Sequence, residues 1–320
     1  MQADVTAALR ARTDGKLWLT DGGIETVMIF LEGLDLPHFA SFPLLNSARG
    51  RDRLAAYFNG FMDEAAAQGT GFILDTVTWR ASRGWGAVMA LSARQIDDAN
   101  RAAVAFAKEL RAARKDGGAE VIVNGLIGPH GDAYAPDRIL TASEAQDYHR
   151  PQIAVLAEAG VEMISALTLS TPAEAIGIAK AARAENLPAV LSFTVETDGR
   201  LTTGMTIDAA ITQTDAATDG YPAWYMINCA HPDHFRHRLA GDWVARIGGV
   251  RANSSRLSHA ELDEAVTLDA GDPQELAQDY HALQALLPGL RVLGGCCGTD
   301  LRHIAAIGGA CIGHHSRAAS

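Results

Sequence analysis

The sequence has little cysteine, no long hydrophobic run and a shortage of positive charge. Four cysteines in 320 residues are too few for a disulfide scaffold. A reducing compartment is therefore expected, where clustered cysteines bind metal or carry out chemistry more often than they cross-link. No apolar stretch reaches the roughly 18 residues that a transmembrane helix needs, and the opening MQADVTAALRARTDGKLWLT has no apolar centre of the kind a signal peptide shows. A cytoplasmic protein is expected. Lysine and arginine total 27 against 38 aspartates and glutamates, for a formal net charge of −11. Nucleic acid and anionic membranes call for clustered basic residues and are not expected as partners, whereas a small-molecule enzyme fits. Self-association into a homo-oligomer is left open.

What is present is a regular alternation. Short apolar or β-branched runs lie at 17–20, 72–77, 121–127, 163–169, 189–195, 224–229, 246–253 and 291–295. The segments between them carry apolar residues at spacings of three and four, as in LAAYFNGFMDEAAAQG (54–69). TASEAQDYHRPQIAVLAEAG (141–160) opens with Thr141 and has Glu144 three residues on, the pattern of a capping box. Eight buried-looking strands alternating with helices predict an α/β fold, a (β/α)8 TIM barrel, with a doubly wound open sheet as the rival. At 320 residues two domains would be the default, yet no linker or shift of composition divides the chain. A single domain over 1–320 is expected, with an N-terminal helix at 1–16 and a C-terminal tail at 306–320. Long connections are expected at 28–50 and 197–222.

In a barrel, the C-terminal ends of the strands converge on one mouth. Those ends supply Asp21, Thr76 to Trp79, the GPHGD of 128–132, Glu196, Cys229, Asn253, and the adjacent Cys296 and Cys297. Three of the four cysteines thus face one place, and strands six and eight are second neighbours. Three thiolates suit Zn2+ in a tetrahedral site with one position open to a substrate. Buried small hydrophobes, or a vicinal disulfide at Cys296–Cys297, are the alternatives. Gly294, Gly295 and Gly298 would let neighbouring thiols turn to one metal through unusual backbone angles. Cys311 reads as core. Pro232 begins a helix that carries His234 and His237 away from the mouth, leaving His231 nearest to it. Trp79, Trp85 and Tyr225 are either core or an aromatic wall for a cationic substrate.

The GGCCG of 294–298, the NC of 228–229, the DGG of 21–23, DTVTWRAS (75–82) and GLIGPHGD (125–132) together resemble the homocysteine S-methyltransferases over roughly residues 17–305. The resemblance implies Zn2+ held by Cys229, Cys296 and Cys297. The fourth position would go to homocysteine sulfur, so that the nucleophile is the substrate's own thiolate and no protein nucleophile is needed. The methyl donor would be a sulfonium, S-methylmethionine or S-adenosylmethionine, and the product methionine. Without the folate- and cobalamin-binding modules of the large methionine synthases, a cobalamin route is not expected. Asp21, Gly22 and Gly23 match positions that hold the amino-acid end of homocysteine. Thr78, Trp79 and Asn228 join them as candidate substrate-binding residues. Two departures stand out: Glu25 occupies a position where many members have a small residue, and Leu167 replaces a glutamate that many use to hold the substrate's ammonium. Glu25 or Glu196 is expected to compensate. A methyltransferase of the same fold with betaine as an ammonium donor, or with another thiol acceptor, is the alternative. A non-catalytic zinc- or redox-sensing protein is the reading from another class.

Overall fold

The computed structural model describes residues 4–114, 118–134, 138–265 and 267–318, the last helix beyond Ile312 by its backbone alone. Its centre is a sheet of parallel strands: β1 (Trp18–Leu19), β2 (Gly71–Asp75), β3 (Val121–Ile127), β4 (Met163–Leu169), β5 (Ala189–Phe193), β6 (Trp224–Asn228), β7 (Ile247–Ala252) and β8 (Val292–Gly295). Each strand pairs with the next in sequence, and β8 returns to β1 through Trp18 opposite Val292 and Leu19 opposite Leu293. That last pairing closes the (β/α)8 barrel and rules out the open sheet.

Helices Ala48–Ala67, Ala93–Ala112, Ala142–Ala159, Pro172–Ala184, Ile207–Thr218, Pro273–Leu286 and Leu301–Ala318 pack outside. Their starts are written locally. Ser92 with Gln95, and Thr141 with Glu144, form capping boxes that satisfy the first free backbone N–H groups. The C-terminal segment 306–320 is helical through 318, part of the helix that covers β8, and 319–320 lie outside the described residues. Two expectations need correction. The long connection at 197–222 contains the regular helix Ile207–Thr218. The link from β6 to β7 carries only the short helix Pro232–Phe235 and two 3-10 turns, so the alternation is incomplete there. The connection at 28–50 is irregular as expected, with a π-helical turn over Val27–Leu31 and 3-10 turns at Pro37–Phe39 and Phe42–Asn46. Among the described residues no helix is long and apolar enough to cross a membrane.

Two apolar layers hold the fold. The larger lies between strands and helices. The smaller fills the barrel's floor with Trp18, Ile73, Ile122, Met163, Trp224 and Val292 beneath Leu9 of the N-terminal helix Val5–Thr13. The Trp18 ring lies against Gly71 and the Trp224 ring against Gly248, where a Cβ would collide with the indole. Arg10 pins the helix across the floor, donating to the carbonyls of Ala223 and Pro222 at 2.8 Å each. Trp224→Ala, emptying the largest part of this plug, is expected to lower stability by about 3–5 kcal/mol, read as a shift of the urea unfolding midpoint with little change in slope.

Candidate metal centre and barrel mouth

Above the apolar floor the barrel interior becomes polar. Arg251 points inward from β7, buried, and its guanidinium meets two carboxylates: Asp21 at 2.6 Å, just after β1, and Asp75 at the end of β2. Asn124 donates to Asp75 at 2.7 Å, and the Tyr57 hydroxyl donates to Asp21 at 3.0 Å. Burial, opposed by Arg251 and reinforced by Asp75, pushes the Asp21 carboxyl up to about 7. One guanidinium cannot fully compensate two buried carboxylates.

The same arginine seats two cysteines. Its backbone carbonyl accepts from Cys229 N at 3.1 Å, and its Nε donates to Gly295 O at 3.1 Å, one residue before Cys296. The sulfurs of Cys229, Cys296 and Cys297 lie within 4.8 Å of one another, with Cys229 and Cys296 joined as a disulfide and Cys297 free. Cys229 adopts φ +52°, and Thr168, in the irregular part of β4, adopts φ +65°. Such left-handed conformations persist in non-glycine residues only where surroundings enforce them. Here the enforcing residue is Asn228. Its Oδ1 accepts from Thr168 N at 2.9 Å and Ser192 Oγ at 2.6 Å, and its Nδ2 donates to Thr168 Oγ1 at 2.9 Å. The Thr168 hydroxyl then faces Cys229 Sγ at 3.9 Å and Asn228 Nδ2 faces Cys296 Sγ at 4.0 Å. Three soft donors with polar hydrogens aimed at two of them fit a thiophilic divalent cation such as Zn2+ once the disulfide is reduced.

The glycines around the pair work differently from the expectation. Only Gly298 has a left-handed φ, +79°. Gly294 and Gly295 are ordinary strand residues whose missing Cβ makes room for Thr20 and Thr299. Gly22 and Gly23 serve the same contact from the other side. A Cβ on Gly23 would lie 2.5 Å from Cys296 O, and Gly23 N already donates to Thr299 O at 3.0 Å. These two glycines pack the β1 loop onto the cysteine turn, and the Gly23 N–H is not free for a substrate.

Solvent reaches Cys297 through the mouth, yet the protein around it, followed by the charge of Glu25, pushes its thiol up to about 12. Tyr134 stacks on His259 with ring centroids 3.9 Å apart, and Tyr134 is near enough to Cys297 to feel its charge. Asp21, Glu25, Ser41 and Trp79 line a cleft beside the centre, and Glu25 accepts from Ser41 Oγ at 2.9 Å. The Arg80 guanidinium lies between Trp79 and Trp85, 3.9 Å from each ring centroid, and covers one face of each indole.

Most other expected residues have partners within the protein or lie buried. Thr78 is buried, donating to Leu126 O at 2.6 Å. Glu196 starts a turn closed by its N–H to Arg200 O at 2.8 Å, and the charges acting on it are Asp198 and His234. Leu167 is buried. Tyr225 is core, its hydroxyl donating to Asp215 at 2.7 Å. His231 caps the helix at Pro232, His234 is buried near the Arg256 carbonyl, and His237 is exposed. Cys311 is core. The residue that sequence reading missed is Arg251. An arginine inside an apolar strand demands buried carboxylates, and Asp21 and Asp75 at the ends of two other strands were the available signal.

A family model described as homocysteine S-methyltransferase matches residues 18–311 of this chain. Among solved structures, the oxidized form of the homocysteine methyltransferase MmuM from Escherichia coli is 23% identical, with 95% of this chain and 98% of that chain covered and a TM-score of 0.72. Its metallated form is 22% identical, with 96% and 99% covered and a TM-score of 0.70. At such identity the likeness speaks for the fold. No curated protein sequence matches the chain significantly.

Two outcomes are expected of the polar layer. Arg251→Met strands two buried carboxylates and should lower stability by about 3–5 kcal/mol, measured by urea denaturation at neutral pH. Asp21, with its folded pKa raised, contributes stability that is fully present below the ordinary carboxylate range and is lost as pH rises through about 7. Asp21→Asn should flatten that part of the pH–stability profile.

Proposed function

The chain belongs to the homocysteine S-methyltransferase family, and from that membership and the three-thiol mouth we propose that it moves a methyl group from a sulfonium donor, S-methylmethionine or S-adenosylmethionine, to homocysteine, using Zn2+ held by Cys229, Cys296 and Cys297. The observation that carries the metal reading is the convergence of those three sulfurs within 4.8 Å at the barrel mouth. When bound, Zn2+ would lower the acceptor thiol's pKa so that thiolate is available near neutral pH.

The chain's own residues do the rest. Asn228 and Thr168 turn polar hydrogens toward Cys296 and Cys229 and temper the negative charge of three close thiolates. Around Cys297 the rim is acidic: Glu25 and Asp263 act on its thiol, and Asp132 acts on Asp263. That field attracts a cationic donor. Tyr134, stacked on His259, lies close enough to Cys297 to feel its charge. In the transfer, the acceptor sulfur's electron pair forms a bond to the methyl carbon. The donor's sulfur–methyl bond breaks, and its pair stays on the donor sulfur as a neutral thioether. The thiol proton leaves to solvent. Since the product has lost its positive charge, the acidic rim holds it less tightly than the donor, which favours release.

The reduced protein should bind one Zn2+ per chain. It should form methionine from homocysteine with S-methylmethionine or S-adenosylmethionine but not with betaine. Cys297→Ala should weaken zinc at least about a hundredfold, beyond what loss of a residue supporting a ligand does, and abolish transfer. Elemental analysis and product chromatography check this. Zinc binding with no product from any donor would mean a binding or sensing protein instead.

A further inference from the structure

The mouth holds two opposite charges that make no contact ion pair with any described residue, the charges acting on Arg80 being first Asp132 and then Glu25. Arg80 is mostly enclosed, with both guanidinium faces covered by Trp79 and Trp85 at 3.9 Å. Of its in-plane donors, one bonds the Gly131 carbonyl at 3.1 Å and the buried Nε finds no protein acceptor. No described carboxylate lies within ion-pair distance of it, whereas Arg251, the buried arginine of the barrel interior, meets two. Glu25 faces the same mouth from the β1 side. It accepts from Ser41 Oγ and forms no ion pair with any described residue. The two groups are close enough for each to act on the other's ionisation, yet they do not touch.

Holding an enclosed cation and an enclosed anion apart is costly, because each gives up hydration without gaining its natural partner. Direct contact would relieve both. The tryptophan pair prevents it on one side by clamping the guanidinium, and the Ser41 hydrogen bond prevents it on the other by holding the carboxylate. A ligand carrying a carboxylate and an ammonium on one carbon would satisfy both together. With its faces blocked, Arg80 can receive a carboxylate only in its own plane, which is the direction of a charge-assisted fork.

We propose that Arg80 and Glu25 form a receptor for the zwitterionic end of an α-amino acid substrate, Arg80 taking the carboxylate and Glu25 the ammonium, in place of the fourth-strand position where Leu167 stands. The receptor rests on the reading of the protein as an amino-acid thiol methyltransferase, and the acceptor and a methionine-derived donor present the same zwitterion.

Calorimetry separates these cases. L-methionine, which carries the zwitterion without a thiol, should bind the wild-type protein. Its deaminated and decarboxylated analogues should each bind about tenfold or more weakly, the scale of a charged hydrogen bond lost. Arg80→Gln should weaken L-methionine by a similar factor and leave the decarboxylated analogue unchanged. Glu25→Gln should spare the deaminated analogue in the same way. Circular dichroism checks that both variants fold, and the analogue series on the wild type decides the matter even where they do not. Repeating the titration on zinc-loaded protein with L-homocysteine and with S-methylmethionine assigns the receptor to whichever loses affinity in Arg80→Gln. Analogues that bind the wild type as tightly as L-methionine, folded variants that bind L-methionine unchanged, or a wild type that binds none of these amino acids would each overturn the receptor. Arg80-dependent amino-acid binding without methyl transfer would instead sustain the receptor and sink the enzymatic reading.

Discussion

The buried contact of Arg251 with Asp21 and Asp75 is the constraint on which the mouth depends. It ties β7 to the ends of β1 and β2 across the barrel's interior, and through Asn124 it reaches β3. Below it the interior is apolar and plugged by two tryptophans. Above it lies the chemistry. A hydrophobic residue at 251 could fill the same space, but it could not supply the in-plane donors that meet two carboxylates and the Gly295 carbonyl at once. The contact therefore fixes direction as well as distance. Cys229 hangs from the Arg251 carbonyl and Cys296 follows the carbonyl its guanidinium holds. The strand-six and strand-eight thiols are both seated by one residue between them, through its carbonyl and its guanidinium.

That arrangement explains why strained backbone is tolerated here. Cys229 and Thr168 both have positive φ, each at a cost of order 1–3 kcal/mol. Asn228 binds Thr168 through both ends of its amide, and the Arg251 layer anchors the neighbouring strand. The strained pair turns a sulfur and a hydroxyl inward together, which extended strand geometry would send to opposite faces. Glycine at the same positions would adopt the angles freely but would carry neither donor.

Much of this was legible in the sequence. The bounds of β3 and β4 match the apolar runs at 121–127 and 163–169, and the capping box at Thr141 marks its helix start to the residue. The meeting of three cysteines followed from counting strands, because barrel topology converts sequence order into neighbourhood. What was not legible depends on side-chain direction. Thr78 and Glu196 sit at strand ends like the cysteines, but one turns into the Leu126 carbonyl and the other starts a turn closed onto Arg200. The glycines at 294 and 295 were read as hinges, since sequence shows that a Cβ is missing and not whether its space is taken. Arg251 was invisible for a related reason: a strand arginine is usually solvated, and only the paired carboxylates reveal that this one is not.

The tryptophans sharpen the point about selectivity. Aromatic residues beside a methyl-transfer site suggest a cage for a cationic donor, since ring faces attract sulfonium and ammonium alike. In this mouth the facing sides of the two indoles are filled by Arg80. A donor cation placed there would have to displace a covalently tethered guanidinium, whose local concentration no free ligand matches. Attraction of a positive donor then falls to the carboxylates more than to this indole pair. Carboxylate fields act over distance and fall off with salt, whereas ring contacts require close fit. A mouth of this kind discriminates a cationic donor by charge and leaves discrimination by shape to the groups that grip the rest of the substrate.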